Sequence, residues 1–253
     1  FATFVLGGGA PTQAVQSGTA TIAASSASTT ATLTQVNPSR AFLVFSTTIN
    51  DSNPSNTEVR GELTDPTTIT FTRVGTTGAV SIAWTVVEYA SGVSVQRGTT
   101  TLSGTTDNIT LSAVNTAKAA PLISFSQAGS THADNDFAKA KITSSTNLQL
   151  TRTASGSYDV SWQVVEFTNA SVQTGDLTFA TTDSSKTATV TSVNTSKSWL
   201  LYTHTTDNGT TTDIGQKLVR GQITNGTTLT FDRSSTGQAM DVTWYVVEFT
   251  DNH

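Results

Sequence analysis

The chain has 253 residues, a net charge of −5 and only 12% charged side chains. Lacking cysteine, it can form neither disulfides nor thiolate zinc sites; lacking a Lys/Arg cluster, it offers no footprint for nucleic acid. No apolar run approaches the roughly 18 residues needed to span a bilayer as a helix, so membrane insertion is not expected.

Ser and Thr supply about a third of the residues, and Thr's branched side chain suits extended backbone. The sequence opens with Phe1-Ala2-Thr3-Phe4-Val5-Leu6, an apolar strand-like segment on a Gly7-Gly8-Gly9 hinge. Residues 1–11 are read as an N-terminal extra strand. It either completes its own sheet or pairs with the exposed edge of a neighbouring subunit, which makes Phe1, Phe4 and Leu6 candidate interface residues. An opening on Phe rather than Met fits cleavage of an export signal or a trimmed chain.

The remainder repeats itself about every 80 residues, the mark of a small domain in tandem. Val15-Gln16-Ser17-Gly18, Val95-Gln96-Arg97-Gly98 and Val172-Gln173-Thr174-Gly175 open the copies. Trp84-Thr85-Val86-Val87-Glu88-Tyr89, Trp162-Gln163-Val164-Val165-Glu166-Phe167 and Trp244-Tyr245-Val246-Val247-Glu248-Phe249 close them. The copies occupy residues 12–91, 92–169 and 170–253. In the first, strands are expected at Gly18–Ala24, Thr30–Val36, Arg40–Thr47, Glu58–Thr64, Thr67–Arg73 and Val80–Tyr89. Ile82, Trp84 and Val86 share one face, and Ala83, Thr85 and Val87 the other, because side chains alternate along a strand. Period-two patterning, even spacing and the absence of any helical period predict an all-β chain of three antiparallel β-sandwich repeats. Linkers of about five residues reach at most ~20 Å, so the copies should pack side by side, around a pseudo-threefold axis.

Glu88, Glu166 and Glu248 recur at the end of a sticky β segment. A charge there guards against edge pairing, or locks an interface with the recurrent cations Arg73, Arg152 and Arg233. Glu and Arg lie toward opposite ends of the last hairpin, so any ion pair between them must cross between copies or sheets. The loop after the third strand carries clustered oxygens, and Asp134 and Asp136 are the candidates for Ca²⁺, though Asp and Asn are also turn formers. Trp199 replaces Phe42 and Ala120 of the other copies and has no evident role. No nucleophile elbow, phosphate loop, second recurrent carboxylate or His-paired Ser is present, so no enzyme chemistry is expected.

The order Gln-x-Gly, alternating strands, Arg-bearing strand and Trp-x-Val-Val-Glu-aromatic strand resembles β-sandwich modules of phage tail fibres. More distantly it resembles the six-stranded H-type lectin domain. The likeness runs over residues 12–250 and implies trimer-like packing and a role in adhesion. The expectation is a non-enzymatic, secreted structural protein at the cell or virion surface, whose partner is itself and which builds a filament or sheath. A tail-fibre or lectin-like adhesin binding surface glycans is the alternative.

Overall fold

The computed structural model describes residues 12–133, 136–207 and 213–250. The expected N-terminal strand and Asp134 lie outside the described residues. The first six strands are β1 (Thr12–Ile22), β2 (Ser28–Thr32), β3 (Ala41–Thr48), β4 (Arg60–Asp65), β5 (Thr68–Thr72) and β6 (Val80–Tyr89). They form two antiparallel sheets, ordered β1-β6-β3 and β2-β5-β4. Strands β7 (Val93–Leu102), β8 (Thr106–Thr110), β9 (Ala119–Gln127), β10 (Lys139–Ser144), β11 (Asn147–Thr151) and β12 (Tyr158–Phe167) repeat this as β7-β12-β9 and β10-β11-β8. So do β13 (Ala170–Phe179), β14 (Ser185–Thr189), β15 (Ser198–Thr206), β16 (Arg220–Asn225), β17 (Thr228–Asp232) and β18 (Met240–Phe249), as β13-β18-β15 and β14-β17-β16.

The first strand starts at Thr12, earlier than the expected Gly18, because the ladder with β6 runs on to Tyr89. The loop after β3 holds one helical turn, α1 (Pro54–Thr57), that no periodicity announces. Asn53 caps it by accepting from the Ser55 amide, and Pro54 pre-sets its first residue.

The recurring letters have local causes. Gly18, Gly98 and Gly175 stand directly opposite Trp84, Trp162 and Trp244 in the ladders. A Cβ there would come within 2.5, 2.8 and 2.5 Å of the indole, so the ring lies across bare backbone. The Gln two residues earlier binds the loop after the second strand with both ends of its amide. Gln16 donates to Thr34 O (2.8 Å) and accepts from Thr34 N (2.7 Å). Gln96 does the same with Ser112, and Gln173 with Thr191.

Each sandwich encloses its own core, such as Ile22, Ile69, Phe71, Ile82, Trp84 and Val86 in the first. A fourth core lies between the repeats. It gathers Phe42, Val87 and Tyr89 from the first, Val95, Val165 and Phe167 from the second, and Val172, Val247 and Phe249 from the third. The consecutive valines therefore serve two cores: Val86 faces its own sandwich and Val87 the shared axis. A repeat of this size buries only about 60–65% of its extended-chain surface alone, so the axis supplies burial that each sandwich lacks.

Candidate functional site

The seams between repeats concentrate the side chains that the folding of a single sandwich leaves unused. At one end of the axis the closing aromatics interlock. Phe167 meets Phe249 edge-on at 5.2 Å and Tyr89 at 6.1 Å, and Phe42 stacks on Trp199 at 6.1 Å. Trp199 thus packs against the axis core from the third repeat, beside Val172, Val247 and Phe249. At the opposite end the loops meet. Ser55 N donates to Gly129 O (3.1 Å), the buried Lys217 ammonium to His132 O (2.7 Å), and Phe137 is stacked between His132 and His204.

Along the axis, edge strands are capped by side chains of the next repeat, which satisfies backbone groups that would otherwise be buried unpaired. Between repeats one and two, Gly61 N donates to Ser124 Oγ (3.0 Å). Gln163 grips Leu43 with both ends of its amide at 2.9 Å. Arg97 donates to Pro38 O and Ala41 O; burial lowers its pKa to about 10, with Glu62 opposing. Between repeats two and three, Ala140 N donates to Thr203 Oγ1 and Ile142 N to Tyr245 Oη, both at 2.8 Å. Lys141 pairs with Asp176, and Lys139 with Asp241 at 3.8 Å. Burial raises the Asp176 pKa, but bonds from Lys141 and Thr243 outweigh it and hold the carboxyl below the ordinary value. Pro121 takes the place of Leu43 here and presents no amide to cap. Replacing Gln163 with leucine strands both Leu43 backbone groups. It is expected to cost about 1–3 kcal/mol by urea denaturation, against near zero for an exposed Gln35→Leu control.

The predicted interface sets serve their own repeats. Glu88, Glu166 and Glu248 accept from the Asn37, Asn115 and Asn194 amides at 2.8, 3.0 and 2.6 Å, pinning the turn before the third strand of each repeat. At the other end Arg73 donates to the carbonyls of Ala23, Ser26, Asn56, Thr77 and Gly78. Arg152 reaches Gly104 and Gly156, and Arg233 reaches Asp183, Gln216, Gln238, Ala180 and Thr181. The Arg set staples turns and the Glu set pins them, a full strand length apart, and the two are not joined.

Asp136 is buried and accepts from Ala133 N at 2.5 Å. It lines a cavity of about 310 Å³ with Gln127, Gly129 and Tyr158. Glu58 faces it across the first seam, where burial and then the Asp136 charge push its pKa up to about 7. Among the described residues no group of three His, Cys, Asp or Glu side chains is placed to hold a metal. No helix of the described residues is long and apolar enough to cross a membrane.

Gln163, Thr203 and Tyr245 carried no signal in the sequence because they differ between copies, and Ser124 because it is one serine among many, matched by Ser46 of the first copy. Compared with known protein families and with curated proteins, the chain matches none.

Proposed function

We propose that the protein is a non-enzymatic, extracellular building block of a filament or sheath, joined to further copies through its N-terminal apolar segment. One observation carries the reading: three sandwiches are locked about a common core, and the sequence ahead of β1, whose first residue pairs with Tyr89 at the aromatic end, is apolar and followed by three glycines. Among the described residues the exposed large hydrophobics are Val15, Val74 and Leu218, none of them an aromatic platform for sugar. The intact chain is expected to form polymers under the electron microscope, and deletion of residues 1–9 to leave single particles. Polymers unchanged by the deletion would remove strand exchange from the proposal. A glycan array with calcium and with chelator separates this reading from an adhesin at the cell or virion surface, since a pure building block binds no glycan in either arm.

A further inference from the structure

The seam between repeats three and one is unlike the other two. By register, Gly221 and Ile223 of β16 correspond to Gly61 and Leu63 of β4 and to Ala140 and Ile142 of β10. The capping positions of repeat one are Ser46, the equivalent of Ser124, and Thr85, which is spent on Ser17 at 2.9 Å. Neither bonds to β16; instead Tyr202 Oη of the same repeat accepts from Gly221 N (3.1 Å) and donates to Val219 O (3.0 Å). Val95 N donates across its seam to Ser39 O and Val172 N to Ala117 O, but Val15 N makes no such bond to Ser196. Burial follows: Val95 and Val172 are 8% and 9% exposed, Val15 47%, and Leu218 at the foot of β16 50%. The Phe42–Trp199 stack closes only the aromatic end, so a whole further sandwich has no room to enter.

From this geometry we infer that Phe1–Leu6 of a second copy, stacked on the same axis, adds as an antiparallel strand to the edge of β16, displacing the Tyr202 hydroxyl from Val219 O and Gly221 N. The inference rests on the assembly reading above and names its acceptor. An extended apolar peptide fits a strand edge that carries no cap from the next repeat, where main-chain bonds give affinity and alternate side chains register. Direction decides between a neighbour's segment and the chain's own. Thr12 pairs with Tyr89, so the chain leaves β1 at the aromatic end, whereas Leu218 and Val219 lie at the loop end. The 11 residues of β1 span about 35 Å, while the stretch from Leu6 to Thr12 reaches only ~20 Å and must also make any reversal. A copy stacked head to tail delivers the segment straight into the loop end of the open seam. It then runs opposite to β16, continuing the sheet β14-β17-β16.

The cysteine-free chain permits a clean test. Chains carrying Thr3→Cys and size-tagged chains carrying Gln222→Cys are mixed, allowed to assemble, and treated with a short bis-maleimide. A covalent heterodimer is expected in the mixture and not in either population alone. Glu62→Cys, on the covered equivalent strand, should give none. Polymers without the Gln222 link would overturn this acceptor while leaving the assembly reading intact. A cross-linked monomer from the doubly substituted chain, with no heterodimer in the mixture, would assign the edge to the chain's own segment. Absence of both polymer and link would overturn both proposals.

Discussion

Truncating Phe167 to alanine is expected to cost about 3–5 kcal/mol, the range for a large buried side chain that leaves a void. The residue is 2% exposed and touches rings of both other repeats: Phe42 at 6.2 Å, Tyr89 at 6.1 Å and Phe249 at 5.2 Å. Such aromatic pairs add roughly 0.5–1.5 kcal/mol each beyond the area they bury. For a chain of this length the loss is a fall in Tm of about 10 °C. Its character matters as much as its size. Because each sandwich alone is marginal, weakening the axis uncouples the repeats, so the melting transition should broaden and its van't Hoff enthalpy drop below the calorimetric one. A single sharp transition moved by less than ~2 °C would show that the axis cluster is not a core.

The same cluster shows where the sequence was readable. Alternation along Val80–Tyr89 places Ile82, Trp84 and Val86 on a common face, and that face is the sandwich core. Composition and turn residues were enough for the all-β architecture, because period-two burial leaves its mark on every strand. The opposite face was harder. Val87 and Tyr89 are as buried as Val86, and the signal was the unbroken Val-Val pair, which a strand with one wet face would not carry. The seams were hidden for a different reason. A comparison of repeats selects letters that recur, and those turned out to hold each sandwich to itself: Gln to a loop, Gly beneath Trp, Glu and Arg to turns. Contacts between unlike neighbours need unlike residues, so Thr85, Gln163 and Tyr245 diverge at one position while taking on different jobs. Asp136 drew attention as a possible calcium ligand because loop oxygens resemble metal ligands on paper. Folding turns its carboxylate inward, onto a backbone amide beside Glu58.

That inward carboxylate sets up an expected pH response with two opposing parts. Glu58 binds its proton more tightly folded than unfolded, its pKa rising from 4.5 to about 7 through burial and then the Asp136 charge. Its contribution is therefore full below about pH 4.5 and is lost as pH climbs to about 7. His204, stacked on Phe137, behaves oppositely. Burial lowers its pKa from 6.5 to about 4, although its bond to Lys217 O pulls the other way. Its contribution is full above about pH 6.5 and is lost as pH falls to about 4. His132 acts in the same sense, held below its ordinary value by burial and then by Lys217. Each of the two contributions is about 3 kcal/mol in full, and between about pH 4.5 and 6.5 they change in opposite directions, so the parent chain should be nearly flat there. Asp51, Asp65 and Asp183 have pKa values below 3.8 and lose their contribution only beneath this window. Glu58→Gln should unmask the histidine slope, giving a protein that weakens toward acid. His204→Phe, which keeps a ring on Phe137, should unmask the glutamate slope, giving one that weakens toward neutrality. Urea midpoints measured from pH 4.5 to 7 should therefore diverge in opposite directions for the two variants. Profiles that stay parallel would mean that neither group titrates inside the seam.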